Sequence, residues 1–131
     1  MIRKIDAKSW VAIIAFIFIS ITLIYLRVKT DKEINEIKEN GAFTIGIIYN
    51  ISGLKNGSSY DYYFIVNNHK IEGNFTDLGK NIKLNDLIYV NYLINNPRIE
   101  YAVRNIEAPK CFKMENTPRN GWKSIPKDTC R

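Results

Sequence analysis

Histidine occurs once and cysteine twice in these 131 residues, which leaves little for the commonest catalytic and metal-binding chemistries. Cys111 and Cys130 form no Cys-x-x-Cys and have no histidine at zinc spacing, so a zinc site and dithiol catalysis both lack their ligands. His69 stands in the turn-like stretch Asn67-Asn68-His69 and reads as a solvated turn residue. No Gly-x-Gly-x-x-Gly, Walker loop, His-Glu-x-x-His or Gly-x-Ser-x-Gly is present. Asp61, Asp77 and Asp86 fall in or beside turns, where aspartate bonds its own backbone, and do not pair as acid and base on one face. The expectation is a protein without catalytic residues, cofactor or metal. Seven glycines and four prolines are too few for a collagenous or low-complexity chain, and 46% hydrophobic residues are too many for a disordered one.

The apolar residues are unevenly spread. Residues 10–26, from Trp10 to Leu26, run for seventeen positions without a charge. As a helix that is about 25 Å, close to the hydrocarbon thickness of a bilayer, with Trp10 and Tyr25 suited to its interfaces and Arg27 and Lys29 able to reach the headgroups. Met1-Ile2-Arg3-Lys4 ahead of it also fits a signal peptide, but the run passes into Tyr25-Leu26-Arg27-Val28-Lys29 with no Ala-x-Ala-like cleavage site. The expectation is therefore an uncleaved single-span anchor, with residues 1–9 as a cytoplasmic tail.

Orientation does not follow from charge alone, because Arg3, Lys4 and Lys8 precede the span while Arg27, Lys29, Lys32 and Lys38 follow it. A long downstream domain translocates largely regardless of its charge, whereas a short cationic tail stays inside. Two cysteines bracketing a loop have the look of a disulfide, which implies an oxidising space outside the cytoplasm; the alternative is two separate buried thiols. The domain is accordingly expected beyond the inner membrane of a bacterial cell.

Residues 27–42 are charged and helix-friendly, with Lys29 and Glu33, and Lys32 and Glu36, each four apart. They read as a helical stalk, restarted by a capping box at Thr30-Asp31-Lys32-Glu33 and stopped at Asn40-Gly41. From Phe43 the period becomes two. Phe43, Ile45, Ile47, Tyr49 and Ile51 share one side of a strand, and Tyr60, Tyr62, Phe64 and Val66 share one side of a second. Asn67-Asn68-His69 turns the chain into a third strand from Lys70 to Thr76. Leu87 to Leu93 makes a fourth, and Asn95-Asn96-Pro97 breaks it before Ile99, Tyr101 and Val103 in a fifth. The fold class is mainly β after one transmembrane helix: a five-stranded antiparallel sheet or partly closed barrel of OB-like or SH3-like size, over residues 43–107. Its expected core is Phe43, Ile45, Ile47, Phe64, Val66, Val90, Tyr92 and Val103.

The stretch Val66-Asn67-Asn68-His69-Lys70-Ile71-Glu72-Gly73, the turn Asn85-Asp86 and the strand end Val90-Asn91-Tyr92-Leu93-Ile94-Asn95-Asn96-Pro97 carry a resemblance. They are similar to a V-x-G-K-x-Y-x-G hairpin, a G-D turn and a V-x-Y-x-P-x-N-P strand end in a widespread uncharacterised bacterial family of short membrane-anchored β-domain proteins. Asn68 and Asn85 stand where that pattern has glycine, a replacement allowed because asparagine enters the left-handed region readily. Ile94 replaces its first proline. The resemblance covers about 60 residues, implies a membrane-anchored β-domain, and brings no activity or site with it.

Charge divides the remainder. Between residues 43 and 107 six lysines and arginines balance six acidic residues, so the β-domain is neutral. Residues 108–131 carry Lys110, Lys113, Arg119, Lys123, Lys127 and Arg131 against Glu115 and Asp128, and read as an irregular basic tail closed by the two cysteines. With the excess positive charge in the tail and the membrane flanks and no basic groove across the sheet, nucleic acid is a poor partner, although Tyr60, Tyr62 and Tyr63 could stack bases. Two functional classes remain. One is a non-catalytic binding or scaffold module that docks an envelope protein by a sheet edge or by the tail. The other is an envelope-structural or surface-sensing protein whose tail meets anionic lipid or cell-wall polymer. Lys113, Arg119, Trp122 and Lys123 are the interaction residues expected in either, on an exposed basic face.

Overall fold

The computed structural model describes residues 6–79 and 81–127; Cys130 and residues 1–5 lie outside them. Contacts within the chain group it into two units dividing between Asn35 and Glu36. The first is helical. Helix α1 spans Ala7–Asn40, a stretch that holds neither glycine nor proline. It is long and apolar enough to cross a membrane, and none of its most apolar stretch is buried within the chain. Phe16 and Phe18 are more than 70% exposed, an arrangement that water would penalise and lipid would not. The polar side chains of this run are paired internally, Ser20 Oγ donating to the Phe16 carbonyl and Thr22 Oγ1 to that of Phe18, each at 2.8 Å. Thr30 behaves the same way: its hydroxyl donates to the Leu26 carbonyl at 3.0 Å. The expected capping box there is not formed, because the helix never breaks and Thr30 has no free N–H to cap.

The second unit begins with the last helical turn and is a β-domain. Strands β1 (Gly41–Leu54), β2 (Gly57–Val66), β3 (His69–Asp77), β4 (Leu87–Leu93) and β5 (Asn96–Glu107) form one antiparallel sheet in the order β3-β2-β1-β4-β5. The long β1 is shared: its first half pairs with β4 and its second half with β2. This curls the sheet until β3 and β5 face each other, a nearly closed barrel. The turns follow the asparagines. Asn67 and Asn68 have φ of 51° and 63°, as a two-residue hairpin requires, and Asn85 has φ of 68°.

Inside the barrel lie Ala42, Ile48, Tyr60, Tyr62, Phe64, Val66, Phe75, Val90, Tyr92 and Ala102. The expected residues Phe64, Val66, Val90 and Tyr92 are there. Ile45 is a core residue too, although it lies outside the barrel, whereas Phe43, Ile47 and Val103 are only half-buried. In β1 it is Ala42 and Ile48 that point inward, with Gly46 between them against Val90 and Tyr62. Ile45 is fully buried in a second cluster with Tyr89, Ala108 and Phe112, joined by the half-buried Val103 and Trp122, while Phe43 and Ile47 are half-buried. The reason is that both faces of β1 and β4 are apolar, and alternation alone cannot say which face is inner. A β-bulge between Ile48 and Asn50 then swaps the faces, so Ile51 reaches the inner cluster.

Candidate functional site

The basic tail is folded onto the barrel. The Phe43 and Trp122 backbones exchange two hydrogen bonds of 2.8 Å, which lays residues near 122 alongside the start of β1. Phe112 is buried, meeting Tyr89 and Trp122 edge-on at centroid distances of 6.5 and 5.5 Å. Pro118 to Gly121 forms the turn between them, closed by the Gly121 N–H on the Pro118 carbonyl at 2.8 Å. Gly121 has φ of 70°, and a Cβ there would lie 2.6 Å from the Phe43 carbonyl oxygen and 2.9 Å from the Tyr92 hydroxyl. Only glycine lets the tail come this close.

This places the expected interaction residues. Lys113, Arg119 and Lys123 are exposed, while Trp122 is spent on packing against Phe112 and does not stand on the outward face. Cys111 is exposed, no cysteine is free among the described residues, and Cys130 lies outside them. A cleft of about 350 Å³ opens between the tail and the β2–β3 turn, with Asn67, Asn68, Thr117 and Arg119 among its walls and Ile45, Ile65 and Met114 as its apolar lining. Thr117 Oγ1 is buried without a hydrogen-bond partner.

A second cleft, about 410 Å³, follows the seam where β3 and β5 fail to pair. The Tyr62 hydroxyl donates to Glu100 Oε2 across it. The two side chains meet above Gly73, where a Cβ would come within 2.4 Å of Glu100 Oε1 and 2.7 Å of the Tyr62 hydroxyl. Burial, and then the Glu100 bond, push the Tyr62 phenol far above its ordinary value. Burial also holds the Glu100 carboxyl above the usual carboxylate range, against the opposing pull of the Tyr62 bond. Arg104 sits at the rim, its guanidinium 5.9 Å from the Phe75 ring centre. An inward-pointing carboxyl on an edge strand also discourages another strand from adding there.

The remaining candidates are local. Tyr60 and Tyr62 are buried, and Tyr63 lies under the Lys70 ammonium at 4.7 Å, which also approaches Tyr49 at 5.4 Å. His69 is exposed, with Nδ1 donating to the Asn67 carbonyl at 2.9 Å, as a turn residue. Among the described residues no group of three His, Cys, Asp or Glu side chains is placed to hold a metal ion. Sequence reasoning missed Glu100 and Thr117. For Glu100 a signal existed, since alternation puts it on the same face as Ala102; for Thr117, in an aperiodic tail, none did. No family model, curated protein or solved structure matches this chain.

Proposed function

We propose that the protein is a non-catalytic binding module, anchored by α1 in the inner membrane of a bacterium and displaying its β-domain outside the cytoplasm, with the tail face as its recognition surface. The observation that carries the reading is the exposed trio Lys113, Arg119 and Lys123, held on a folded tail whose own apolar residues are turned inward. A disordered basic tail would solubilise the domain; a tail pinned by Phe112 and the Phe43–Trp122 pair presents its cations in fixed positions, as recognition requires. The partner is acidic, an envelope protein or a cell-wall polymer. A bond between Cys111 and Cys130 belongs to the same reading, closing the tail in an oxidising compartment at a gain of about 3 kcal/mol in the chain-entropy model.

Cells with opened outer envelopes test this in one experiment. A membrane-impermeant maleimide is expected to leave the protein unlabelled until an impermeant phosphine reductant is added, and then to label both cysteines. Labelling only after the inner membrane is lysed would place the domain inside, and labelling without reductant would remove the disulfide.

A further inference from the structure

We infer that the cleft along the β3–β5 seam is a binding site for a primary alkylammonium group, held by the Glu100 carboxylate over an aromatic floor. No residue of the tail lines this cleft, so the site is separate from the tail face and takes a ligand of the opposite sign. At about 410 Å³ it falls within the ~300–1,000 Å³ typical of small-molecule sites.

Glu100 is a carboxyl without a counter-ion. Its one hydrogen bond among the described residues is the one Oε2 accepts from Tyr62, and the ion pairs among them join Lys29 to Glu33 and Lys70 to Glu72. Oε1 is left without a partner and, unlike the Thr117 hydroxyl, is not closed off from solvent. Arg104 does not neutralise it. Four residues further along β5 is about 13 Å of extended strand, and the guanidinium lies over the Phe75 ring instead. Burial holds the Glu100 carboxyl toward its protonated form, and a cation beside it restores the charge in a place where water screens the pair poorly.

The rest of the wall selects the kind of cation. Glu100 is the one acidic residue among the described residues lining the cleft, too few ligands for a calcium or magnesium ion. With Oε2 engaged by Tyr62, a guanidinium cannot take both oxygens with its planar fork. An ammonium needs only one, and turns its other N–H donors to carbonyls that the edge strands β3 and β5 leave outside the ladder. Phe75 and Ala102 give a methylene stem its apolar surface, and the Phe75 ring already faces one cation at 5.9 Å.

The test uses the full chain in nanodiscs of zwitterionic lipid, titrated with n-butylammonium, n-butylguanidinium, n-pentanol and Nα-acetyl-lysine N-methylamide and read by ligand-observed NMR. n-Butylammonium is expected to bind about tenfold more tightly than n-pentanol, its neutral isostere, and severalfold more tightly than n-butylguanidinium. Glu100→Gln keeps an oxygen for the Tyr62 hydroxyl and is expected to weaken n-butylammonium about tenfold. Arg104→Gln removes a like charge from the rim and is expected to tighten n-butylammonium about threefold, an effect that misfolding could not produce. Binding of the blocked lysine as tightly as n-butylammonium assigns the ligand to a lysine side chain of a partner protein, and its exclusion assigns it to a free amine. Equal binding of n-butylammonium and n-pentanol, or of n-butylammonium to the parent and to Glu100→Gln, overturns the proposal. So does weaker binding by Arg104→Gln. If no amine binds while Lys113→Gln and Lys123→Gln still release an acidic partner, the seam proposal falls and the broader functional reading stands.

Discussion

The inner and outer apolar layers of the β-domain differ in how they are held. The inner one is lined by residues of all five strands of the sheet, and it stacks aromatic rings, Tyr60 on Phe75 at 5.2 Å and Phe64 beside Tyr92 at 5.8 Å. The outer one, over Ile45 and Tyr89, is closed by Phe112 and Trp122 from a segment whose described residues hold one 3-10 turn, at Met114–Asn116, and no other helix or strand. Interior packing here is therefore cooperative with the sheet. The outer layer is attached by two backbone hydrogen bonds and by the edge-on contact of Phe112 with Tyr89, Phe112 packing in turn on Trp122. The tail should accordingly open at lower free energy than the barrel, which is where a surface that must adapt to a partner is best placed.

The largest effect should come from breaking the inner layer. Phe64 is fully buried among Tyr62, Tyr92 and Val90, so Phe64→Ala is expected to cost about 3–5 kcal/mol and to unfold sheet and tail together. Urea titration of the detergent-solubilised chain, followed by β-sheet circular dichroism and by tryptophan fluorescence, checks it. Two separate transitions in the variant would mean that the tail does not depend on the barrel.

Breaking the outer layer should do less and do it locally. Gly121→Ala forces a left-handed alanine against the Phe43 carbonyl, a cost of about 1–2 kcal/mol that the chain escapes by releasing the tail turn. Hydrogen exchange should accelerate at the Phe43 and Trp122 amides while those of β2 stay protected. Uniform acceleration across the sheet would show the two layers to be one cooperative unit.

This difference also sets what the sequence discloses. The strands, the asparagine turns and the anchor were legible because each is written in a local period or a local backbone preference: Tyr60 to Val66 alternates, Asn68 and Asn85 tolerate positive φ, and the run from Trp10 to Leu26 is unbroken. The inner face of β1 was not legible. Phe43, Ile45 and Ile47 are larger and more apolar than Ala42, Thr44 and Gly46, so the alternation pointed at the wrong side. Those small residues are inside because bulky tyrosines from β2 and β4 fill the space, and the larger ones lie outside because an aperiodic tail returns to cover them. Nothing in a window of ten residues can report a contact made from seventy residues away. The cleft beside Thr117 is a product of that return and was hidden for the same reason.

The smallest effect is expected at the seam, where the barrel is closed by side chains alone. Burial raises the Glu100 carboxyl above its ordinary range, so the folded chain binds that proton more tightly than the unfolded chain does. Between the ordinary glutamate value and the raised folded value, stability must therefore fall as pH rises. Below that window the carboxyl is protonated in both states and adds no slope; above it the full penalty of a half-buried charge is present. Glu100→Gln keeps an oxygen to accept the Tyr62 hydroxyl and removes the charge, while Gly73 still leaves room for the pair. Melting of the two proteins, compared from acid to neutral pH, should show their difference shift in favour of the glutamine variant as pH rises through the window and level off above it. Tyr62→Phe removes the donor, so it is expected to be less stable than the parent on both sides of the window. A difference between parent and Glu100→Gln that stays constant with pH would mean that Glu100 is solvated in the folded state and that the seam is open to water, with β3 and β5 held only by the rest of the sheet.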